Sequence, residues 1–139
     1  MMTEKCGCAG LTAAASEGAG RTGDNDENRK IMVLVTADHL GYGDRDLGGK
    51  LLLNFLKTLP EMGPSLWRLV LVNAGVRLAV DGHACLPPLR KLAASGVSVL
   101  ACSTCLAHFN LQDKQAVGEP TTMVDIVTSM QVADKVLTI

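Results

Sequence analysis

Two cysteines stand three residues apart in the stretch "VSVLACSTCLAHFN", residues 97–110. Cys102 directly follows an apolar run, and Cys105 lies one turn into the helix that we predict beyond it. Three interpretations are open: a reactive thiol site, half of a metal site, or two small core residues. The free N–H groups at a helix start favour a thiolate, so a cysteine there has its pKa lowered from about 8.5. We expect the Cys102 sulfur to be negatively charged and open to an incoming molecule.

Neighbouring side chains fit the same chemistry. Cys105 is close enough to Cys102 in sequence to form a disulfide with it or to accept a transferred sulfur atom. Ser103 or Thr104 is expected to cap the turn and to donate a hydrogen bond to the anion. A buried cysteine is commonly a small hydrophobe, but two cysteines where a strand passes into a helix favour the reactive site.

The remaining cysteines do not extend this site. The total of five is odd, which is not the pattern of a disulfide framework, and Cys85 beside two prolines is predicted to be a core residue. Cys6 and Cys8 would complete a set of four zinc ligands, but they lie in a distant polar segment and the usual glycines are missing around Cys102. We therefore expect no metal.

Other polar motifs are weak. The stretch "GYGDRDLGG", residues 41–49, matches neither the dinucleotide fingerprint nor the P-loop, so no cofactor is expected. His39 and His83 are predicted to be loop residues and His108 a surface residue. Asp38, Asp44 and Asp46 are predicted to cap or solvate the start of a helix rather than to bind a metal ion.

The elements that must position the thiols begin at residue 30. Strands are predicted over residues 31–36, 66–72, 97–101, 115–117 and 136–139. Helices are predicted from the cap Asp44 to Pro60, over a segment ending at Gly96, over residues 104–109, and from the cap Thr122. This alternation predicts a single three-layer α/β domain with a mostly parallel five-stranded sheet. Right-handed crossovers bring Cys102 to the carboxyl edge of the sheet, where such folds bind ligands.

Composition limits the class of protein. The chain has 139 residues, 47% of them hydrophobic, which suits one domain over residues 30–139. Residues 1–29 are polar and lack an apolar period, so they are predicted to be a flexible tail. The net charge of −1 and the scarcity of aromatic residues argue against a nucleic-acid partner. No apolar run is long enough for a membrane span, and a cytoplasmic location is expected.

Longer stretches carry a resemblance to a known family. The segments "VTADHLGYGDRDLGGKLLLNFLKTL", "LVNAGVRLAVDG", "GVSVLACSTCLAHFNLQDKQAVGEPTTM" and "ADKVLTI" together resemble the DsrE/DsrF-like sulfur-transfer proteins. Within that family the chain is most similar to the DsrE-like domain of the YedF group of sulfurtransferase-like selenium metabolism proteins. The resemblance covers nearly all of residues 31–139, and its most specific part is the segment around the two cysteines.

This resemblance implies a DsrE-like fold assembled as a homotrimer or hexamer that carries sulfur as a cysteine persulfide. The family's acceptor cysteine matches Cys102, and Cys105 corresponds to a second cysteine that only some members keep. Asn73 and Gly75 match the family's Asn-x-Gly turn and are expected to line the same cleft, with Ser103 and Thr104, as substrate contacts. YedF proteins also carry a TusA-like domain, which the tail does not resemble, so a separate TusA-like protein is an expected partner.

The leading hypothesis is a sulfur carrier or sulfurtransferase in which Cys102 takes sulfur from a donor protein and passes it to an acceptor protein. A further hypothesis is that Cys6 and Cys8, on a flexible arm, exchange sulfur with Cys102. Two alternatives stay open. One is a non-catalytic oligomeric interaction module; the other is a dithiol redox protein with a reversible Cys102–Cys105 disulfide. Nothing in the residues indicates selenium rather than sulfur, and whether the protein is an enzyme is undecided.

Overall fold

The computed structural model describes residues 29–139. Its strands are β1 (Ile31–Val35), β2 (Leu66–Leu71), β3 (Ser98–Cys102), β4 (Glu119–Thr121) and β5 (Lys135–Thr138). Its α-helices are α1 (Arg45–Thr58), α2 (Leu86–Ala94), α3 (Ser103–His108) and α4 (Met123–Val132), and 3-10 segments cover Leu59–Ser65, Asn73–Ala79 and Gln112–Lys114. The predicted tail, with Cys6 and Cys8, lies outside the described residues except for Arg29.

The five strands form one sheet in the order β4-β3-β2-β1-β5, and every neighbouring pair is parallel. Successive right-handed crossovers from β1 to β4 run in one direction and place α1 and α2 on the same face. The return from β4 to β5 places α4 on the opposite face, where Arg68 of β2 donates a hydrogen bond to Ser129 of α4. The predicted three-layer α/β domain is confirmed.

Two predicted helix caps are present. Asp44 accepts a hydrogen bond from the Leu47 N–H at 2.9 Å, and Thr122 accepts one from the Asp125 N–H at 3.3 Å. Each cap satisfies a donor that the first turn of a helix leaves free. Asn110 follows α3 with a φ of +57°, a left-handed conformation that asparagine adopts more readily than most residues. Local sequence signals therefore set the ends of these helices.

One predicted strand is wrong. Residues 115–117 form no strand of the sheet; Gln115 makes only an isolated antiparallel bridge to Val80, and β4 begins at Glu119. The apolar pair Ala116 and Val117 suggested a strand there, but the pairing with β3 starts at Glu119. Because β4 is an edge strand, the missing N–H of Pro120 can face away from the sheet without loss of a ladder hydrogen bond.

The helix predicted to end at Gly96 is α2, which begins at Leu86. Pro87 and Pro88 occupy the first turn, where a missing N–H costs no hydrogen bond. The inward leucines of α1 and α2 are buried, each at most 1% exposed: Leu52, Leu56, Leu89 and Leu92. This aliphatic layer supports the sheet beneath the loops that carry the candidate site.

Candidate functional site

The more accessible thiol at the carboxyl edge of the sheet is Cys105. It is the third residue of α3 and is partly exposed. Its Sγ accepts a hydrogen bond from the Asn73 N–H at 3.0 Å. Asn73 has a φ of +52°, a left-handed conformation that asparagine tolerates better than most residues. The segment after β2 therefore supplies a backbone donor to the thiol after β3.

Cys102 is buried, with 2% of its surface exposed. It is the last residue of β3, paired in register with Thr121 of β4, so its side chain packs with the sheet instead of projecting beyond the edge. The expectation that the Cys102 sulfur is open to an incoming molecule is therefore wrong. Both thiols are free, and Cys102 lies close enough to Cys105 to affect its pKa.

The expected cap on α3 is also absent. Cys102 is the residue at the N-cap position, and no side chain caps this helix within the described residues. Ser103 is half-buried and Thr104 is exposed, one and two residues beyond Cys102. Their assignment as substrate contacts stays a prediction. The one backbone N–H that donates to a thiol of this pair, among the hydrogen bonds of the described residues, is that of Asn73, and it donates to Cys105 rather than to Cys102.

Burial raises the pKa of the Cys105 thiol above its ordinary value. The hydrogen bond from the Asn73 N–H opposes this rise, and the hydrogen bond and charge of Cys102 add to it. Cys105 is therefore mostly protonated at neutral pH. Because thiolates are the reactive form, its sulfur exchange must become faster as the pH rises.

Gly75 has a packing role. A Cβ atom at this position would lie 2.5 Å from the carbonyl oxygen of Val35, closer than such atoms approach. Only glycine lets the segment Asn73–Ala79 pass so close to the end of β1. Gly75 is itself buried, and its assignment as a substrate contact stays a prediction.

Sequence reasoning missed a charged network beside the thiols. The Asp38 carboxylate accepts a hydrogen bond from Arg45 at 3.1 Å, is hydrogen-bonded to His39 at 2.9 Å and lies 3.6 Å from Arg77. Burial alone would raise the pKa of Asp38, but His39, Arg45 and a backbone N–H together hold it below its ordinary value. Asp38 links the loop after β1 to the segment after β2.

Arg77 extends this network to α3. Its guanidinium lies 4.5 Å from the centre of the Phe109 ring, an attractive cation–π arrangement. Exposed His108 packs edge-on against the same ring, with centroids 5.0 Å apart. No short motif joins Asp38, Arg77 and Phe109, because they meet only through the order of the strands; the one sequence signal is that each follows a predicted strand end.

A cleft of about 470 Å³ lies next to Arg77 and Phe109. His83, predicted to be a plain loop residue, lines it. Its Nδ1 accepts a hydrogen bond from the Cys85 N–H at 3.0 Å. Burial lowers the pKa of His83, and the charge of Asp38 only partly opposes this, so the ring is neutral at neutral pH. Among the described residues no cluster of His, Cys, Asp and Glu side chains could hold a metal ion.

The sequence pattern of the DsrE/DsrF-like family matches residues 30–139. The chain belongs to this family. The match spans the whole described domain and includes both thiols, the Asn73 turn and the strand that ends the chain. No curated protein sequence is similar enough to count as a match.

Solved structures share this DsrE-like fold. The ychN protein of E. coli is 26% identical with a TM-score of 0.63, over 80% of this chain and 99% of that one. BT1422 from Bacteroides thetaiotaomicron, a conserved protein of unknown function, is 18% identical with a TM-score of 0.60 over 82% and 97% of the two chains. MTH1491 from Methanobacterium thermoautotrophicum, also of unknown function, is 15% identical with a TM-score of 0.61 over 80% and 99%.

These comparisons show the DsrE-like family and fold, while similarity to the YedF group stays a prediction. In the part of the chain that the structure describes, no helix is both long and apolar enough to cross a bilayer.

Proposed function

We propose that this DsrE-like protein is a sulfur carrier in which the Cys102–Cys105 pair holds a persulfide. The observation that carries the proposal is a pair of free, neighbouring thiols at the carboxyl edge, one of which is partly exposed and accepts a hydrogen bond from a backbone N–H. Family membership supports the same chemistry. Cys102 remains the acceptor by its match to the family's cysteine, and its burial suits it to keep a reactive sulfur away from water.

The burial of Cys102 assigns the first contact with the donor to Cys105. The Cys105 thiolate attacks the outer sulfur of a donor persulfide; the bond between the donor's two sulfurs breaks, and the donor leaves as a thiol after taking up a proton. The Cys102 thiolate then attacks that outer sulfur, now on Cys105, and Cys105 leaves as a thiolate. Each step exchanges one sulfur–sulfur bond for another, so no oxidant or reductant is consumed.

Mass spectrometry after incubation with a persulfide donor tests this order. In the wild type the added sulfur atom is expected on Cys102 by peptide mapping. Cys105→Ser should slow loading at least about tenfold, because direct access to buried Cys102 is poor. Cys102→Ser should leave the sulfur on Cys105. Cys85→Ser is the matched control, since this buried thiol lies outside the pair, and it should load as the wild type does.

Loading of Cys105→Ser at the wild-type rate would overturn the order of the two thiols. Loading of neither Cys102 nor Cys105 in the wild type would overturn the function itself.

A protein partner and a homo-oligomer belong to the same proposal. Donor and acceptor proteins, including a TusA-like protein, are expected to meet Cys105 at the carboxyl edge. Exposed apolar residues on α4 support self-association into a homotrimer or hexamer, because water disfavours such a surface. Carriage of selenium and a cytoplasmic location stay predictions.

A dithiol redox protein is the second candidate. The nearness of the Cys102 and Cys105 thiols favours it, since two neighbouring free thiols can be oxidised to a disulfide. The same mass measurement separates the two candidates. A carrier gains one sulfur atom from a persulfide donor, whereas a redox protein only loses two hydrogen atoms on oxidation.

A further inference from the structure

The cleft next to Arg77 and Phe109 is lined by both charged and apolar side chains. Its volume of about 470 Å³ is within the range of sites that bind small molecules. Its lining includes Arg77, Val80, Asp81, His83, Phe109 and Leu111. The aliphatic and aromatic members suit a carbon or sulfur chain, and the polar members suit charged groups at its ends.

The backbone around this cleft is held in place by hydrogen bonds. The Asp81 N–H donates to the Lys114 carbonyl at 3.0 Å, and the Ala116 N–H donates to the Ala79 carbonyl at 2.7 Å. Val80 also forms an isolated bridge with Gln115. The segment after β2 and the segment after α3 are thus joined at Val80 and Asp81, which line the cleft, so a ligand would meet a preformed site.

The cleft presents one positive and one negative side chain. Asp38 has two guanidinium partners, Arg45 and Arg77. One carboxylate cannot neutralise two guanidinium groups, so the three side chains together carry a net positive charge that can attract a carboxylate of a ligand. Asp81 supplies the opposite charge on the same lining. Neutral His83, whose Nδ1 is already an acceptor, carries its proton on Nε2 as a further donor. A zwitterion is the complement of this arrangement.

The cleft and the thiol share their two supporting segments. Asn73, which donates to Cys105 Sγ, begins the 3-10 segment that contains Arg77. Phe109 follows Cys105 by four residues, and its N–H donates to the Cys105 carbonyl at 3.1 Å. Four residues correspond to about 6 Å along a helix axis. A short ligand in the cleft can therefore reach the sulfur of Cys105.

We propose that this cleft binds a low-molecular-weight thiol or persulfide of the amino-acid or short-peptide class. Its carboxylate pairs with Arg77, its ammonium group pairs with Asp81, and its sulfur points toward Cys105. This inference rests on the proposed sulfur carriage, for which it names a small zwitterionic donor or acceptor in addition to protein partners.

S-methylglutathione is the probe, because its thioether cannot exchange sulfur and its binding reports the cleft alone. Titration into the full chain by calorimetry should give saturable binding, with amide NMR shifts concentrated at Gly82, His83 and Leu111. Arg77→Gln and Asp81→Asn should each weaken binding about tenfold or more. Arg77→Lys keeps the charge and should bind between the wild type and Arg77→Gln. Arg90→Gln, an exposed arginine on α2, is the matched control and should bind as the wild type does.

A second probe separates charge from shape. The diethyl ester of S-methylglutathione lacks both carboxylates, so it should bind the wild type about as weakly as the parent probe binds Arg77→Gln. Equal binding of the parent probe to wild type, Arg77→Gln and Asp81→Asn would overturn the proposal, as would the absence of binding to the wild type.

The persulfide-loading experiment distinguishes this failure from a failure of the proposed function. If the thiols load sulfur but S-methylglutathione does not bind, the cleft proposal is wrong and the carrier function stands. If S-methylglutathione binds in the cleft but neither thiol loads sulfur, the carrier function is wrong, and the cleft stands as a site for small zwitterions.

Discussion

The reactivity of Cys105 depends on two opposing effects at its sulfur atom. Burial and the neighbouring Cys102 thiol raise its pKa, while the Asn73 N–H stabilises the anion and opposes the rise. The same N–H stabilises the Cys105 thiolate that leaves when the sulfur moves on to Cys102. It therefore favours transfer of the sulfur to Cys102 over its retention on Cys105.

Alkylation of Cys105 by iodoacetamide should be slower at neutral pH than alkylation of a free thiol. Its rate should keep rising with pH beyond the ordinary cysteine pKa, because the thiolate fraction grows until the raised value is passed. Peptide mapping of the alkylated product measures the rate at Cys105 separately from that at Cys102. A fast, pH-independent reaction at neutral pH would contradict this description of the thiol.

His83 should make stability depend on pH. Its pKa is lowered in the folded protein, so the unfolded chain binds the proton more readily and protonation favours unfolding. The stabilisation that neutral His83 contributes is complete above pH 6.5, the ordinary pKa of histidine. It is lost as the pH falls from 6.5 through the lowered pKa that His83 has in the folded protein. Urea unfolding midpoints should therefore decrease over this range.

His83→Gln should flatten this dependence, since glutamine does not titrate and its carbonyl can replace Nδ1 as an acceptor for the Cys85 N–H. The exposed His108→Gln is the control and should keep the wild-type slope. An unchanged slope in His83→Gln would show that other groups cause the pH dependence.

At the level of elements, the 3-10 segment Asn73–Ala79 positions the site. It passes over the end of β1 at Gly75 and thereby brings the Asn73 N–H to Cys105. Gly75→Ala should destabilise the domain by about 1 to 3 kcal/mol, because the new Cβ cannot fit against the Val35 carbonyl. Thermal unfolding measures the loss, and the amide shift of Asn73 should report a weakened hydrogen bond.

Gly49→Ala is the matched control for Gly75→Ala. Nothing lies within 4 Å of a Cβ at Gly49, which is inside α1, so alanine there should stabilise the protein by roughly 0.5 to 1 kcal/mol. Equal effects of the two substitutions would mean that the close approach at Gly75 does not constrain the site.

The elements that the sequence predicted well are those with strong local signals. The capped helices α1 and α4 and the apolar strands β1, β2 and β3 belong to this group. The 3-10 segments were not predicted, because a helix with three residues per turn gives no 3.6-residue apolar pattern. The strand β4 was predicted too early in the chain, at the apolar pair Ala116 and Val117.

The candidate site was predictable only in part for a related reason. The Cys102–Cys105 pair is local in sequence, whereas the Asn73 donor and the Asp38–Arg77–Phe109 network come from different loops that the strand order brings together. Burial of Cys102 depends on packing around the end of β3, which no local pattern encodes.

For the whole molecule, the outer side of α4 is the main unexplained surface in the described residues. Ile126 and Ser129 of this helix are buried, while Met123, Val127 and Met130 form an apolar stripe with exposed fractions of 59%, 48% and 37%. Such a stripe on a helix that covers one face of the sheet by itself is a reasonable contact between copies of the chain.

Met123→Glu combined with Val127→Lys should shift the protein from oligomer to monomer, because both substitutions place charge in the contact. Sedimentation velocity measures the change in mass. Thr128→Lys, on the same helix but on a different side from the stripe, is the control and should leave the oligomer intact. A wild-type protein that is already a monomer at high concentration would contradict the proposed assembly.

Intact-mass measurement after incubation with a persulfide donor shows whether the Cys102–Cys105 pair carries sulfur. With Cys6 and Cys8 replaced by serine, so that neither can take up sulfur, the protein should gain one sulfur atom that a reducing agent removes. Adding Cys102→Ser and Cys105→Ser should abolish this gain although Cys85 is unchanged. Equal sulfur gain in both proteins, or none in the one that keeps Cys102 and Cys105, would contradict sulfur carriage by this pair.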